Sequence, residues 1–232
     1  MKDNTSAVDP FRQKNKLIRI VEKLPGINLG QYIWVGSKRY MLFPKCGTRS
    51  IRRAYMAKHG IETSADWLPH IHYFRPSAFA SELNTDTTVL FTRDPFERLK
   101  SCWSQKISSQ RDNAPFYFWQ YWPRLYPEMP FELFLKRIAK LPPWAFEKHF
   151  ISFSYWCALS VDELRIELVT LDALDSFLAQ EFGGTAPQRA NTTVGPSEQS
   201  LKEARDIYDT HLRAVFSFDE ELFRRSKPAV RP

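Results

Sequence analysis

Cysteine is scarce and scattered. The chain has three, Cys46, Cys102 and Cys157. No CxxC pair occurs, which argues against a zinc site or a disulfide scaffold and suits a reducing compartment. Long apolar runs are also missing: nothing approaches the roughly 20 apolar residues a membrane helix needs. The opening residues, MKDNTSAVDPFRQKNK, lack the apolar stretch of a secretory signal. The chain is therefore expected to be cytoplasmic and complete from Met1, without an integral membrane segment. Repeats and low-complexity tracts are absent. So is GxxxxGK[ST], the loop that holds ATP and magnesium.

What is present supports a folded core. Of 232 residues, 43% are hydrophobic and 15% aromatic, enough for one domain. Residues 1–25 are polar and read as a flexible segment, leaving 26–232 as a single domain. The net charge of +7 suggests anionic ligands. A solvated basic surface is the other reading of that charge.

Ile33-Trp-Val, Gly36-Ser37 and Arg39 to Phe43 read as a hairpin whose second strand enters the core. Thr48 to His59 is helical, with Gly60 as its stop. Thr87 to Thr92 is a buried strand, followed by a helix from about Phe96 to Ser109. Residues 115–131 are crowded with aromatics and prolines and read as core or as sugar-stacking surface. Phe131 to Lys140 and Trp144 to Leu159 are expected to be helical. Leu164 to Leu171 is a third strand, Asp175 to Phe182 a short helix, and Glu198 to Arg225 one long final helix. The order is α/β. It predicts a P-loop-like three-layer sandwich, with a central parallel sheet and helices on both faces. In such a sheet the loops after Phe43, Thr92 and Leu171 share one edge, where ligands bind.

The first of those loops is Pro44-Lys-Cys-Gly-Thr-Arg-Ser50. A helix N-terminus presents unpaired N–H groups and partial positive charge, which favour phosphate or sulfate. Gly47 allows close backbone approach. Thr48 and Ser50 add hydroxyls, and Lys45 a full charge that Arg49, Arg52 and Arg53 deepen. An ordinary strand-to-helix turn with a capping threonine is the alternative. Lys45 precedes the glycine, whereas the ATP loop places its lysine after it. The second loop lies in VLFTRDPFERLKSCW, Val89 to Trp103. Here Asp94-Pro95 opens a helix, and Arg93 and Ser101 stand eight residues apart.

The two stretches together resemble the PAPS-dependent sulfotransferases, in particular the carbohydrate (Golgi-type, family 2-like) branch. Pro44 to Ser50 is similar to that family's 5′-phosphosulfate loop, with Arg49 as a departure. Val89 to Trp103 is similar to its 3′-phosphate motif. Arg189-Ala-Asn-Thr-Thr193, with Tyr208 and the ending Phe218, Leu222, Phe223, resembles the C-terminal loop and tail. A solvated capping loop is the other reading of Arg189, Asn191 and Thr193, and the ending is more simply core.

The resemblance implies in-line transfer of the sulfuryl group of PAPS to a hydroxyl, releasing 3′,5′-ADP without a metal. The acceptor would be a carbohydrate or other hydroxyl compound, with no nucleic acid involved, and a bacterial setting fits the missing anchor. Pro44, Lys45, Cys46, Gly47, Thr48, Arg49, Ser50, Arg93, Ser101, Arg189, Asn191 and Thr193 would hold the cofactor. Lys45 would stabilise the leaving oxygen. A base must take the acceptor's proton, and His72, with His70 beside it, resembles the H-x-H of the heparan 2-O-sulfotransferases. On a strand, two such histidines share a side. Structural histidines are the alternative, and Glu62 or Glu97 could serve as in relatives with a glutamate base. His149 faintly resembles the family's HW-containing helix. With Trp119 and Trp122 it is a candidate acceptor contact. Two other classes stay open: a nucleotide kinase or NTPase, weakened by the missing GK[ST], and a non-enzymatic binder of anionic polymer.

Overall fold

The computed structural model describes residues 30–61, 72–74, 87–108, 121, 123–157, 166–183 and 195–226. Strand β1 (Gly30–Val35) turns through Gly36-Ser37 into β2 (Lys38–Met41). Gly36 has φ 60°, the left-handed backbone that a two-residue hairpin turn demands. The ladder pairs Val35 with Lys38 and Tyr32 with Met41. β3 (His72–Phe74) adds antiparallel to β1, while β4 (Thr87–Thr92) and β5 (Ile166–Thr170) add parallel to β2. The sheet order is β3-β1-β2-β4-β5.

The sheet is therefore mixed, not parallel throughout as the strand–helix alternation suggested. A two-residue connection can only join antiparallel strands; a parallel pair needs a crossover of a dozen residues or more. The parallel part is β2-β4-β5, and its three carboxyl ends do share one edge.

The helices are α1 (Thr48–Lys58), α2 (Pro95–Trp103) with a π turn at Ser104–Ser108, α3 (Phe131–Ile138), α4 (Phe153–Cys157), α5 (Leu174–Phe182), α6 (Glu198–Ile207) with a π turn at Tyr208–Leu212, and α7 (Ser217–Ser226). Two boundaries differ from expectation. Trp144 to Leu159 is not a continuous helix. Residues Pro143–Ala145 form one 3-10 turn, and α4 starts only at Phe153. Consecutive prolines at 142 and 143 withhold donors, and the Glu147 carboxylate takes the His149 backbone N–H at 2.7 Å. The final helix breaks at residues 213–216, where Phe216 is fully buried. Burying that ring turns the chain and brings Asp219 inward.

Aromatic packing joins the helices to the sheet. Tyr40 and Phe91 meet Phe177 of α5 at 6.5 and 5.4 Å. Phe43 meets Phe153 and Trp156 of α4 at 5.2 and 5.1 Å. Each fully buried ring contributes about 2–3 kcal/mol. The described part of the aromatic stretch is core: Tyr121, Leu125 and Met129 are buried, and Trp103 donates to the Met129 carbonyl. In the tail Leu222 is buried and Phe218 packs partly exposed on the core. Among the described residues no helix is long and apolar enough to cross a membrane.

Candidate active site

The segment after β2 bends twice before it becomes α1. Cys46 N–H donates to the Phe43 carbonyl at 3.2 Å, closing a turn with Pro44 second and Lys45 third. Lys45 has φ 68°, a position that such a turn normally gives to glycine. A left-handed conformation costs an L-residue roughly 1–2 kcal/mol. Gly47 follows at φ 78° as the N-cap of α1. A Cβ there would lie 2.7 Å from Leu174 Cδ2 and 3.1 Å from Leu171 Cδ1, so glycine lets the loop after β5 pack against this one.

No side chain caps α1, and its first turn holds no acidic residue. The threonine-capping alternative fails on this point: Thr48 Oγ1 donates backward, to the Phe43 carbonyl at 3.0 Å. The first N–H groups of α1 thus have no side-chain acceptor, the arrangement that suits an anion. Arg49 is exposed, while Pro44 and Ser50 are partly buried. Cys46 departs from expectation. Its side chain is buried in the core and burial pushes its thiol up to about 12, so only its backbone belongs to the loop.

Lys45 Nζ donates to Gln105 Oε1 at 2.7 Å. Gln105 lies in the π turn that ends α2, a deformation often found at functional sites. Lys106 belongs to the same turn, and its charge acts on Lys45. Burial lowers Lys45 to about 8, and the positive charges of Lys106 and Arg49 press the same way. Burial lowers Lys106 too, helped by Arg49 and Lys148. Lys106 and Arg49 thus act on Lys45, and Arg49 and Lys148 on Lys106, while the Glu147 carboxylate opposes them on both lysines; a bound anion would add to what Glu147 supplies.

The second loop is built for rigidity. Asp94 caps α2, accepting from Glu97 N–H at 3.0 Å, and Pro95 starts the helix. Arg93, partly buried at the end of β4, lies 4.0 Å from Glu97 Oε2, and burial lowers its pKa. Glu97 and Ser101 are one helical turn apart and share a side of α2, which Arg93, preceding the helix, meets at Glu97. Behind them Arg98, 1% exposed, donates to Asp219 Oδ1 at 2.9 Å and to the Ile151 carbonyl at 2.7 Å. Its guanidinium stands 4.7 Å from the Phe43 ring. Asp219 Oδ2 takes the Phe153 N–H at 2.8 Å. A cavity of about 10 Å³, the room one water needs, lies between Cys46, Arg93, Arg98 and Asp219.

Register joins the two loops. Met41 pairs with Leu90 on adjacent parallel strands. Four residues on from that pair lie Lys45 and Asp94, and paired strands are about 4.8 Å apart. A third segment acts on Lys45 by charge. His149 Nδ1 lies 2.8 Å from Glu147 Oε2. Burial lowers His149 to about 4, with Lys106 and Lys45 adding to it against the opposing Glu147. Burial raises Glu147, but the His149 contacts outweigh it and hold the carboxylate below its usual range.

Charge thus acts between Lys45 and Arg49 and between Lys45 and His149, while Arg93 and Ser101 belong to the neighbouring β4 loop and α2. His72 pairs with Tyr32, which pairs with Met41. Its backbone is level with the end of β2 but two strands away, about 10 Å. His70, Trp119, Trp122, Arg189, Asn191, Thr193 and Glu62 lie outside the described residues. Sequence reasoning missed Gln105, Lys106, Glu147 and Lys148. A π turn leaves no readable signature, and Glu147-Lys148 looks like ordinary surface polarity. Comparison of the chain with family models, curated proteins and solved structures found no match.

Proposed function

We propose that the chain is a PAPS-dependent sulfotransferase on a P-loop-like three-layer α/β frame, cytoplasmic and bacterial, acting on a carbohydrate hydroxyl. The observation that carries this reading is the pairing of two cationic loops at the ends of adjacent parallel strands. One has an uncapped helix N-terminus and Lys45; the other has Arg93 before α2 and Ser101 within it. A ligand with two separate phosphate-type groups, such as 3′-phosphoadenosine 5′-phosphosulfate, fits that division better than a single triphosphate does.

In this reading the N–H groups of α1 and the Lys45 ammonium hold the 5′-phosphosulfate, and Lys45 neutralises charge growing on the leaving oxygen. Arg93 gives the 3′-phosphate forked, charge-assisted bonds, and Ser101 adds a hydroxyl. Glu97 would yield Arg93 to the phosphate and keep Lys100, 2.6 Å away. By the same resemblance Arg189, Asn191 and Thr193 would contribute to holding the cofactor. The donor supplies an activated sulfuryl group, so no metal enters the scheme.

The test compares 3′,5′-ADP with 5′-AMP in thermal melting without magnesium. The expected result is greater stabilisation by 3′,5′-ADP, and loss of transfer of labelled sulfate from PAPS in Lys45→Ala by about 100- to 1000-fold. Equal responses to the two nucleotides would overturn the reading. Magnesium-dependent ATP turnover would favour a kinase or NTPase. Affinity for heparin that survives neutralising both Lys45 and Arg93 would favour a polymer binder.

A further inference from the structure

One bond ties Lys45 to the end of α2: its ammonium donates to Gln105 Oε1 at 2.7 Å. An ammonium has no lone pair, so the amide must turn its oxygen toward Lys45. That decides the orientation of the amide, and Nε2 keeps its two hydrogens. Among the described residues no acceptor meets them. The backbone that presents Gln105 is held on both sides. Ser104 and Ile107 of the same π turn are buried. The Ile107 carbonyl accepts from the Glu128 N–H at 3.0 Å, and Trp103, just before the turn, donates to the Met129 carbonyl at 2.6 Å. Gln105 also follows Ser101 by four residues, about 6 Å along a helix. One element, α2 with its π turn, therefore reaches from Arg93 at its start to Lys45 at its end.

We propose that Gln105 binds the sulfuryl group of the donor: Oε1 holds the Lys45 ammonium, and Nε2 donates to a sulfuryl oxygen. The inference rests on the sulfuryl-transfer reading. The oxygen and nitrogen of an amide share one carbon, so an anion oxygen that accepts from Lys45 is within reach of Nε2. Lys45 then serves two sets of N–H donors. One is the start of α1, three residues on in its own loop; the other is Gln105, in a different element. The phosphate of the phosphosulfate falls to the first and the sulfuryl group to the second, with the bridging oxygen at Lys45. A neutral amide suits that place. It adds donors without a further cation beside Lys45, on which Lys106 and Arg49 already press. As an acceptor it also favours the charged form of Lys45.

Calorimetric titration of the intact protein with PAPS, and with 3′,5′-ADP, which lacks the sulfuryl group, tests this. Gln105→Met keeps the length of the side chain and removes its polar atoms. It should weaken PAPS binding by about 10- to 100-fold and leave that of 3′,5′-ADP within about twofold. The retained 3′,5′-ADP affinity also shows that the variant is folded. Gln105→Glu keeps an acceptor for Lys45 but has no N–H to give, and should bind PAPS no better than Gln105→Met. Parent affinity for PAPS in either variant would overturn the proposal and leave the sulfuryl-transfer reading standing. Equal loss of both ligands in Gln105→Met would overturn it too, since Gln105 would then act only on Lys45 or on the fold. A parent chain that binds neither ligand would overturn both.

Discussion

The loops after β2 and β4 sit side by side and are built in opposite ways. The β4 loop is tied down: Asp94 caps α2, and Arg98 Nη2 donates to Asp219 and to a backbone carbonyl while the guanidinium lies over the Phe43 ring, although its buried Nε and Nη1 find no acceptor. The β2 loop does the reverse. A lysine occupies a left-handed position, a glycine cap offers no side chain, and burial and neighbouring cations lower the lysine's pKa. The contrast separates stability from binding. The β4 loop holds the edge of the sheet in place, so the β2 loop can keep a strained lysine and an uncapped helix end for an anion.

That division can be broken from either side. The largest effect should come from Asp219→Ala. Removing one partner of a buried ion pair strands the other and costs about 3–5 kcal/mol, read as a lowered midpoint in urea. Arg98→Leu with Asp219→Leu should cost less than Asp219→Ala, because no buried charge is left alone. Next is Gly47→Ala, expected to cost about 1–3 kcal/mol, since it combines a positive φ with a methyl group pressed against Leu174. Asp94→Ala removes only a cap and should cost about 1 kcal/mol.

Lys45→Gly should go the other way. It relieves the left-handed lysine and should raise stability by about 1 kcal/mol, while 3′,5′-ADP no longer stabilises the protein. A destabilised Lys45→Gly would show that the bond to Gln105 outweighs the strain.

A further effect is in pH. Lys45 ionises below its usual range, at about 8, so in the free protein its charge is present below pH 8 and lost above it. Affinity for 3′,5′-ADP should therefore fall as pH rises past 8, by up to about tenfold per unit. Calorimetric titration between pH 7 and 9 would measure it. A flat profile would remove Lys45 from the anion site.

Much of the frame was legible in the chain. Apolar runs ending in Pro-Lys-x-Gly and Arg-Asp-Pro marked two strand ends, because loop chemistry is local. Asp94 and Pro95 announced α2 correctly for the same reason. Trp144 to Leu159 misled, since its apolar spacing is helical while its fold depends on Glu147 and Asp219 capturing backbone N–H groups. Asp219 lies 66 residues beyond Phe153, and no local pattern carries that contact.

By itself the sequence determined the strands other than β3 (His72–Phe74) and where two cationic loops begin. It did so because hydrophobic period, glycine and proline act on their immediate neighbours. The tertiary structure alone decided that the sheet is mixed and that Cys46 belongs to the core. It also decided that charge acts between Lys45 and each of Lys106, Glu147 and His149. Those outcomes depend on burial and on charges meeting across distant segments, and such energies exist only once the chain has closed around them.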